Sequence, residues 1–322
     1  MRRIGVLTSG GDAPGMNAAI RAIVRKAAYH GVEVLGIRRG YRGLVRDAVE
    51  PLDARTVSGI IHRGGTILGT ARSEEFRTAE GRAEALATLR RHGIEGLIVI
   101  GGDGTFKSAQ LAGQEWDVPI VGVPGTIDND VAGTDFTIGF DTAVNTALSA
   151  IDKIRDTAES HERLFFVEVM GRTRGFIALE VALAGGAKAV LLPEEPTDLS
   201  ALCERIRSGL ARGWRAIIVI TAEGDDAGGA MRIAAQTYQA LTMEYRVAIL
   251  GHVQRGGNPS ARDRILASLL GAGAVDGLLA GKRDCMVGQI HDRLVYTPFA
   301  DVLTGDKPLD PQVLRLVDTL AG

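Results

Sequence analysis

Leu97-Ile98-Val99-Ile100-Gly101-Gly102-Asp103-Gly104-Thr105-Phe106 combines three structural signals in one short stretch. Four consecutive branched apolar residues, with no polar alternation, read as a strand buried on both faces. The glycines that follow end the run and let the backbone turn sharply. From Phe106 to Leu111 a helical pattern begins. A strand that closes on glycine and passes into a helix is the repeating unit of an α/β sheet.

The unit recurs along the chain. Apolar runs lie at Ile4–Leu7, Val32–Ile37, Ile120–Val123, Leu164–Val169, Ala189–Leu192, Ile217–Ile220 and Val247–Leu250. Helix-length amphipathic segments separate many of them: Met16–Tyr29, Arg82–Arg91, Thr142–Thr157, Ile177–Leu183, Leu199–Ala211 and Ala230–Thr242. Arg262–Leu279 reads as one long helix. Alternation of this kind implies mostly parallel sheets with helices on both faces. The runs outnumber the strands of one modest sheet, so two sheets are expected, and 322 residues suffice for two domains. The weakest connection falls near Gly133–Phe140. No low-complexity linker marks a boundary, so the domains are expected to pack tightly or to exchange segments.

Composition narrows the function. Thirty-seven basic residues against 39 acidic ones give no overall field suited to nucleic acid or an anionic membrane. Cys203 and Cys285 are the only cysteines, too few for a disulfide framework or a cysteine-based zinc site, and read as buried thiols in a reducing compartment. The N-terminal Arg2 and Arg3 run into glycines and Asp12 before a signal-type apolar segment develops. No stretch approaches the ~20 apolar residues of a membrane span. A soluble, cytoplasmic protein is expected.

Ligands of open α/β sheets sit at the carboxyl ends of strands. Three glycine-rich loops stand there: Thr8–Gly15, Gly101–Thr105 and Pro124–Asp130. Their glycines can bring backbone N–H groups close to a polyanion, and a following helix adds its positive end. Neither G-x-x-x-x-G-K-[ST] nor a strand-following G-x-G-x-x-G occurs. Asp103, inside a glycine turn, suits magnesium shared with phosphate oxygens, or else a helix cap. Asp128 and Asp130, at i and i+2, project to one side if the segment is extended and could divide acid–base and positioning roles. The same residues also suit an Asx turn that satisfies its own backbone.

GVLTSGGDAPGMNAAIRA, IGGDGT, PGTIDND, VEVMGR and GHVQRGG, in this order and spacing, resemble the bacterial 6-phosphofructokinases from Ile4 to about Gly288. The resemblance implies two similar three-layer α/β/α domains with the active site in the cleft between them. Residues 1–139 plus about 254–303 would form the larger, ATP-binding domain. Residues 140–253 plus about 304–322 would form the smaller, fructose 6-phosphate-binding one. The implied reaction is magnesium-assisted transfer of the ATP γ-phosphoryl to the 1-hydroxyl of fructose 6-phosphate, the committed step of glycolysis. Gly11 and Gly102–Thr105 would cradle the ATP phosphates, Asp103 would meet magnesium, and Arg77 and Arg82 would lie near the nucleotide. Ser73 stands where an aromatic residue often packs on adenine. Asp128 would take the hydroxyl proton, with Thr126 and Asp130 positioning reactants, and Arg72 and Arg172 neutralising charge on the transferring group. The sugar phosphate would be held by Thr126, Ile127, Asp128, Met170, Gly171, Arg172, Glu223, His252, Val253, Gln254 and Arg255. Arg163 and Arg246 would reach it from a neighbouring subunit of a homotetramer. His252 equally fits a structural hydrogen bonder.

Relatives that use pyrophosphate carry aspartate after GGD and lysine before TIDND. Here Gly104 and Gly125 occupy those positions, which favours ATP. Regulation looks altered. Arg21 and Arg25 put two charges on one helix face, a solvated face by default, but the resemblance makes them contacts of allosteric ADP or phosphoenolpyruvate. Arg55, Arg155, Gly186, Arg212 and Arg215 fall in the same implied site. Ala54, Lys188 and Trp214 depart from it, and Lys188 for a carboxylate favours a bare anion over a metal–nucleotide. Weakened ADP activation with phosphoenolpyruvate binding retained is expected. Three rivals remain open: a pyrophosphate-dependent enzyme, a NAD or lipid kinase sharing GGDGT, and a non-catalytic sugar-phosphate sensor on the same fold.

Overall fold

A computed structural model describes residues 1–161 and 163–321. Glu162 and Gly322, which the expected smaller domain includes, lie outside the described residues. In chain order the elements are β1 (Arg3–Thr8), α1 (Met16–Tyr29), β2 (Glu33–Ile37), α2 (Gly40–Val45), β3 (Val49–Leu52), α3 (Ala79–Arg91), β4 (Gly96–Gly101), α4 (Asp103–Glu115), β5 (Ile120–Pro124) and α5 (Phe140–His161). There follow β6 (Leu164–Val169), α6 (Phe176–Ala184), β7 (Ala189–Leu191), α7 (Leu199–Ala211), β8 (Ile217–Ala222), α8 (Gly229–Leu241) and β9 (Tyr245–Ile249). The chain ends with α9 (Ala261–Leu279), β10 (Cys285–Ile290), β11 (Arg293–Pro298), α10 (Phe299–Thr304) and α11 (Pro311–Leu320).

Two compact units result. Met1–Ile127, Val131–Thr142 and Arg255–Lys307 form the first; Asp128–Asp130, Ala143–Gln254 and Pro308–Gly322 form the second. Among the described residues the first unit holds a seven-stranded sheet in the order β11-β10-β5-β4-β1-β2-β3. Its five inner strands run parallel, and β3 and β11 close the edges antiparallel. Every residue of β4 is buried, as the unbroken apolar run requires. One face packs Leu7, Leu97 and Val99 against Leu89, Phe106, Ala109 and Phe299 of α3, α4 and α10. On the other, α1 lies along α9, and α9 covers β4, β5 and β10. The buried stripe of α1 (Met16, Ala19, Ile20, Ile23, Val24 and Ala27) has helical spacing.

The second unit holds an all-parallel sheet in the order β7-β8-β6-β9. Leu164, Phe166, Ile217 and Val219 pack on Leu202 and Ile206 of α7 and on Ile233 and Ala234 of α8. Against β7 and β8 lies α6, which also carries α11. Each unit is thus a parallel-dominated α/β sheet, as the alternation of runs and helices implies. Three strands had no counterpart in the pattern. β3 is four residues long and contains Pro51, tolerated because it is an edge strand. The β10–β11 hairpin buries Cys285, Met286 and Val287 but is only partly covered beyond them. Cys203 and Cys285 are both buried free thiols.

Candidate active site

In the first unit, β4 lies between β1 and β5, so the loops leaving their carboxyl ends are neighbours. Ser9 N–H donates to Ile100 O at 2.9 Å and Gly125 N–H to Gly101 O at 3.0 Å, tying the three loop starts together. The buried Thr105 hydroxyl donates to Ser9 O at 3.1 Å. A pocket of about 120 Å³ opens here, and Ser9, Gly10, Arg72, Ser73, Arg77, Gly104 and Thr105 line it together with Tyr41 and Phe76. Tyr41 donates to Thr105 O at 2.8 Å and stacks on Phe76 with ring centroids 4.3 Å apart. Burial pushes the Tyr41 phenol up, so it stays a donor. Neither aromatic was anticipated. The only signal was an aromatic residue following the β2 turn, and the partner that gives it meaning is distant in sequence.

The glycines differ in what surrounds them. A Cβ at Gly104 would meet nothing within 4 Å, whereas one at Gly125 would lie 3.0 Å from the Ile100 side chain and 3.2 Å from that of Met16. At Gly11 a side chain would collide with the guanidinium of Arg255, whose Nη1 donates to Asp12 O at 3.3 Å. Asp103 opens α4, exposed to solvent, after an N-cap glycine that offers no side-chain cap. A carboxylate there is favoured by the helix's positive end. Arg82 does not line the pocket. Its Nε and Nη2 pair with Glu115 at 2.8 and 2.6 Å, and Nη1 donates to Arg77 O at 2.8 Å. It braces the Phe76–Arg77 wall from behind.

In the second unit, β6 lies between β8 and β9, and the sites again follow the strands. Met170 N–H donates to Oε1 of the fully buried Gln254 at 2.8 Å, and Arg172 N–H donates to Glu223 Oε1 at 2.7 Å. A side chain at Gly171, where φ is +142°, would meet the carbonyl of Arg174. Arg172 itself has φ +53°, a conformation uncommon for a non-glycine residue. Its Nε lies 3.2 Å from Oδ2 of Asp128, which is 1% exposed while the arginine is 59% exposed. The pair therefore joins a sheltered carboxylate to a cation open to solvent.

The extended geometry proposed for Asp128 and Asp130 does not hold. Asn129 between them sits at φ +54°, in the left-handed region, so the segment is not extended there. Asp128 is buried and Asp130 half-buried. Thr126 and Ile127 are buried, and Thr126 O accepts from Thr137 Oγ1 at 2.6 Å. His252 and Val253 are exposed. Arg163 is half-buried, and Arg246 is exposed on the edge strand β9, donating to Tyr245 O at 2.8 Å. Among the described residues, none of the side chains of Arg163, Arg246 and His252 bonds to the Asp128–Arg172 set.

Among the described residues no group of three or more His, Cys, Asp or Glu could cage a metal ion. Magnesium held chiefly by phosphate oxygens and water would need one or two carboxylates. Asp103, exposed beside the open space at Gly104, is such a carboxylate.

The phosphofructokinase family profile matches residues 3–278, most of the chain. This chain belongs to the phosphofructokinase family. ATP-dependent 6-phosphofructokinase 1 of Thermus thermophilus is 58% identical over 321 residues, covering 100% of both chains. The phosphofructokinase structure from Saccharomyces cerevisiae superposes with TM-score 0.91 at 35% identity; it covers 100% of this chain, which spans 48% of the yeast one. A pyrophosphate-dependent phosphofructokinase from Marinobacter aquaeolei superposes with TM-score 0.85 at 25% identity, covering 100% of this chain and 91% of that one.

The expected effector residues of this phosphofructokinase fall in both units. In the second, Lys188 Nζ lies 4.4 Å from the Trp214 ring centroid and donates to Ala321 O at 3.1 Å, and Arg212 lies 5.4 Å from the same ring. Arg155 donates to the carbonyls of Gly185 and Gly186. Burial first, then the charges of Arg155, Arg212 and Arg205, hold the Lys188 ammonium below the usual lysine range. Arg215 is exposed. In the first unit, Arg21 is half-buried and Arg25 exposed on α1, and Arg55 is exposed beside Asp53. Among the described residues no helix is long and apolar enough to cross a membrane.

Proposed function

We propose that this protein is an ATP-dependent 6-phosphofructokinase that converts fructose 6-phosphate and ATP to fructose 1,6-bisphosphate and ADP in cytoplasmic glycolysis. The observation that carries the chemistry is the sheltered Asp128 carboxylate paired at 3.2 Å with the exposed Arg172. A carboxylate in that setting can take the proton of the sugar 1-hydroxyl as its oxygen attacks the γ-phosphorus. The new O–P bond forms as the bond from phosphorus to the β,γ-bridging oxygen breaks, and the electron pair leaves with ADP. Arg172 is placed to swing from the carboxylate towards the charge of the transferring group, with Arg72 as its counterpart beside the nucleotide. The left-handed backbone at Arg172, with its N–H donated to Glu223 Oε1 at 2.7 Å, sets where that side chain starts.

The first unit takes ATP: the N–H groups of Gly11 and Gly102–Thr105 bind phosphate oxygens, and Tyr41 fixes the loop through the Thr105 carbonyl. Asp103 would hold magnesium, which when bound neutralises phosphate charge. The second unit takes the sugar phosphate, with Met170, Gly171 and Glu223 positioned by Gln254 and by the turn at Arg172. Arg163 and Arg246 complete this site from a neighbouring copy in a homotetramer. Among the expected effector residues around Lys188 and Trp214 the charged side chains, Arg155, Lys188 and Arg212, are all cationic, which supports binding of phosphoenolpyruvate over magnesium–ADP.

Formation of fructose 1,6-bisphosphate, followed with ATP or pyrophosphate as donor, tests the reading. Wild-type activity with ATP alone, falling by about three or more powers of ten in Asp128→Ser, is the expected result. Activity with pyrophosphate would make the other donor class correct while leaving the base in place. Activity with neither donor would favour a sensor on the same fold.

A further inference from the structure

Arg38, Arg39, Arg42 and Arg46 line one concavity of about 350 Å³ in the first unit, together with Gly43 and Ala48. Among the described residues no carboxylate takes part in that lining. The arrangement follows from local chain geometry. Arg38 ends the β2 turn, Arg39 sits at φ +61°, and Arg42 and Arg46 follow at helical spacing on and just after α2. A left-handed arginine is uncommon; here the Arg39 N–H donates to Leu68 O at 2.8 Å, and Gly40 follows, also at φ +61°, where a Cβ would meet Thr8 O at 2.7 Å.

The charges are only half answered. Arg38 Nη1 lies 3.2 Å from Glu50 Oε1, and Arg46 Nε donates to Glu75 Oε2 at 3.0 Å. These carboxylates hold the outer pair of guanidinia without entering the cavity. Among the described residues no carboxylate lies within ion-pair distance of Arg39 or Arg42, although the Arg42 charge, after that of Arg46, also helps hold the Glu75 carboxyl below its usual range. Arg42 and Arg46, four residues apart on and just after α2, carry like charges on one side of it and repel one another. An anion in the cavity would convert that repulsion into charge-assisted, bidentate contacts.

We propose that this pocket is an anion site, separate from the nucleotide pocket, for a small ligand carrying a chain of phosphoryl groups. Four forked guanidinia match several phosphoryl oxygens better than a single carboxylate. The pocket is concave and small, and the chain's balanced charge, 37 basic against 39 acidic, gives no extended surface for nucleic acid. The site also borders the nucleotide pocket covalently: Tyr41, one residue before Arg42, donates to Thr105 O. Occupancy would stiffen α2 and with it the loop that this hydroxyl holds.

The probe is inorganic tripolyphosphate, titrated calorimetrically into the full-length protein already saturated with magnesium, a non-hydrolysable ATP analogue, fructose 6-phosphate and phosphoenolpyruvate. We expect one event per chain, at least tenfold weaker in Arg39→Asn/Arg42→Gln and within a few-fold of wild type in Arg39→Lys/Arg42→Lys. Asparagine is tolerated in the left-handed region, so the first variant should keep the wild-type melting temperature and the wild-type rate of fructose 1,6-bisphosphate formation. That retained rate separates this test from the active-site reading. No event in wild type, an unchanged event in Arg39→Asn/Arg42→Gln, or tighter binding of a single-stranded oligonucleotide than of tripolyphosphate would overturn the proposal.

Discussion

Gly104 and Gly125, which sequence reasoning treated as equivalent markers of the phosphoryl donor, behave differently as residues. Open space surrounds a Cβ at Gly104, and the position lies in the first turn of α4, where a carboxylate is favoured. Gly104→Asp should therefore fold normally, with a melting temperature at or slightly above wild type. Its KM for ATP should rise by tenfold or more as the new charge faces the phosphates. Gly125→Lys should instead lose about 1–3 kcal/mol, because its Cβ presses on Ile100 and Met16 in the core. Chemical denaturation of both variants, beside ATP kinetics of Gly104→Asp, separates a donor effect from a packing effect. The motifs were legible because each turn residue has a local reason to be glycine, aspartate or threonine. Tyr41, Phe76 and the bracing role of Arg82 were not, because each is defined by a partner far along the chain: Thr105, Trp116 or Glu115. A thiol reagent offers a further check at this scale. Burial pushes Cys285 up to about 11, so native protein at pH 8 should leave it unmodified until unfolding.

At the scale of elements, Asp263 joins two helix starts. Its carboxylate accepts from Gly139 N and Thr142 N at 2.8 Å each and from the Thr142 hydroxyl, while Ser260 caps α9 by accepting from Asp263 N. The long pattern at Arg262–Leu279 announced the helix, but nothing in its periodicity announced that its first turn anchors α5. The apolar stripe of a helix records what it packs on, whereas a capping carboxylate records only the loop it happens to meet. Asp263→Ala leaves two buried N–H groups unsatisfied and should cost about 2–4 kcal/mol by urea denaturation. The pH dependence has a definite sign. Burial raises the folded pKa of Asp263 above its ordinary 3.8, against the pull of its hydrogen bonds. Between those values the folded state binds the extra proton, so this group's stabilisation is complete below about 3.8 and is lost as pH rises through the folded pKa. The stability gap between wild type and Asp263→Asn should be wider at pH 4 than at pH 7.

At the scale of the whole molecule, a single chain leaves part of the proposed chemistry unassigned. Asp128 and Arg172 meet within one unit, yet among the described residues the Arg246 side chain meets its own strand end, donating to Tyr245 O and lying 3.6 Å from Glu244. It stands on β9, an edge strand whose Ile249 is 56% exposed, with Val253 beyond it 62% exposed. An edge of this kind is a liability unless something covers it, and a second copy would both cover it and accept the arginine. If each site takes Asp128 from one chain and Arg246 from another, the two defects should complement. Asp128→Ser and Arg246→Ala homo-oligomers should each be nearly inactive at low fructose 6-phosphate. Unfolded together in equal amounts and refolded, they should regain about a quarter of the wild-type sites, those that draw an intact residue from each parent. The double variant Asp128→Ser/Arg246→Ala, refolded with wild type in the same ratio, should also leave about a quarter of the sites intact, which supplies the reference value. Recovery no greater than the sum of the two separate activities would mean that each chain completes its own site, and Arg246 would then have to act within its own chain.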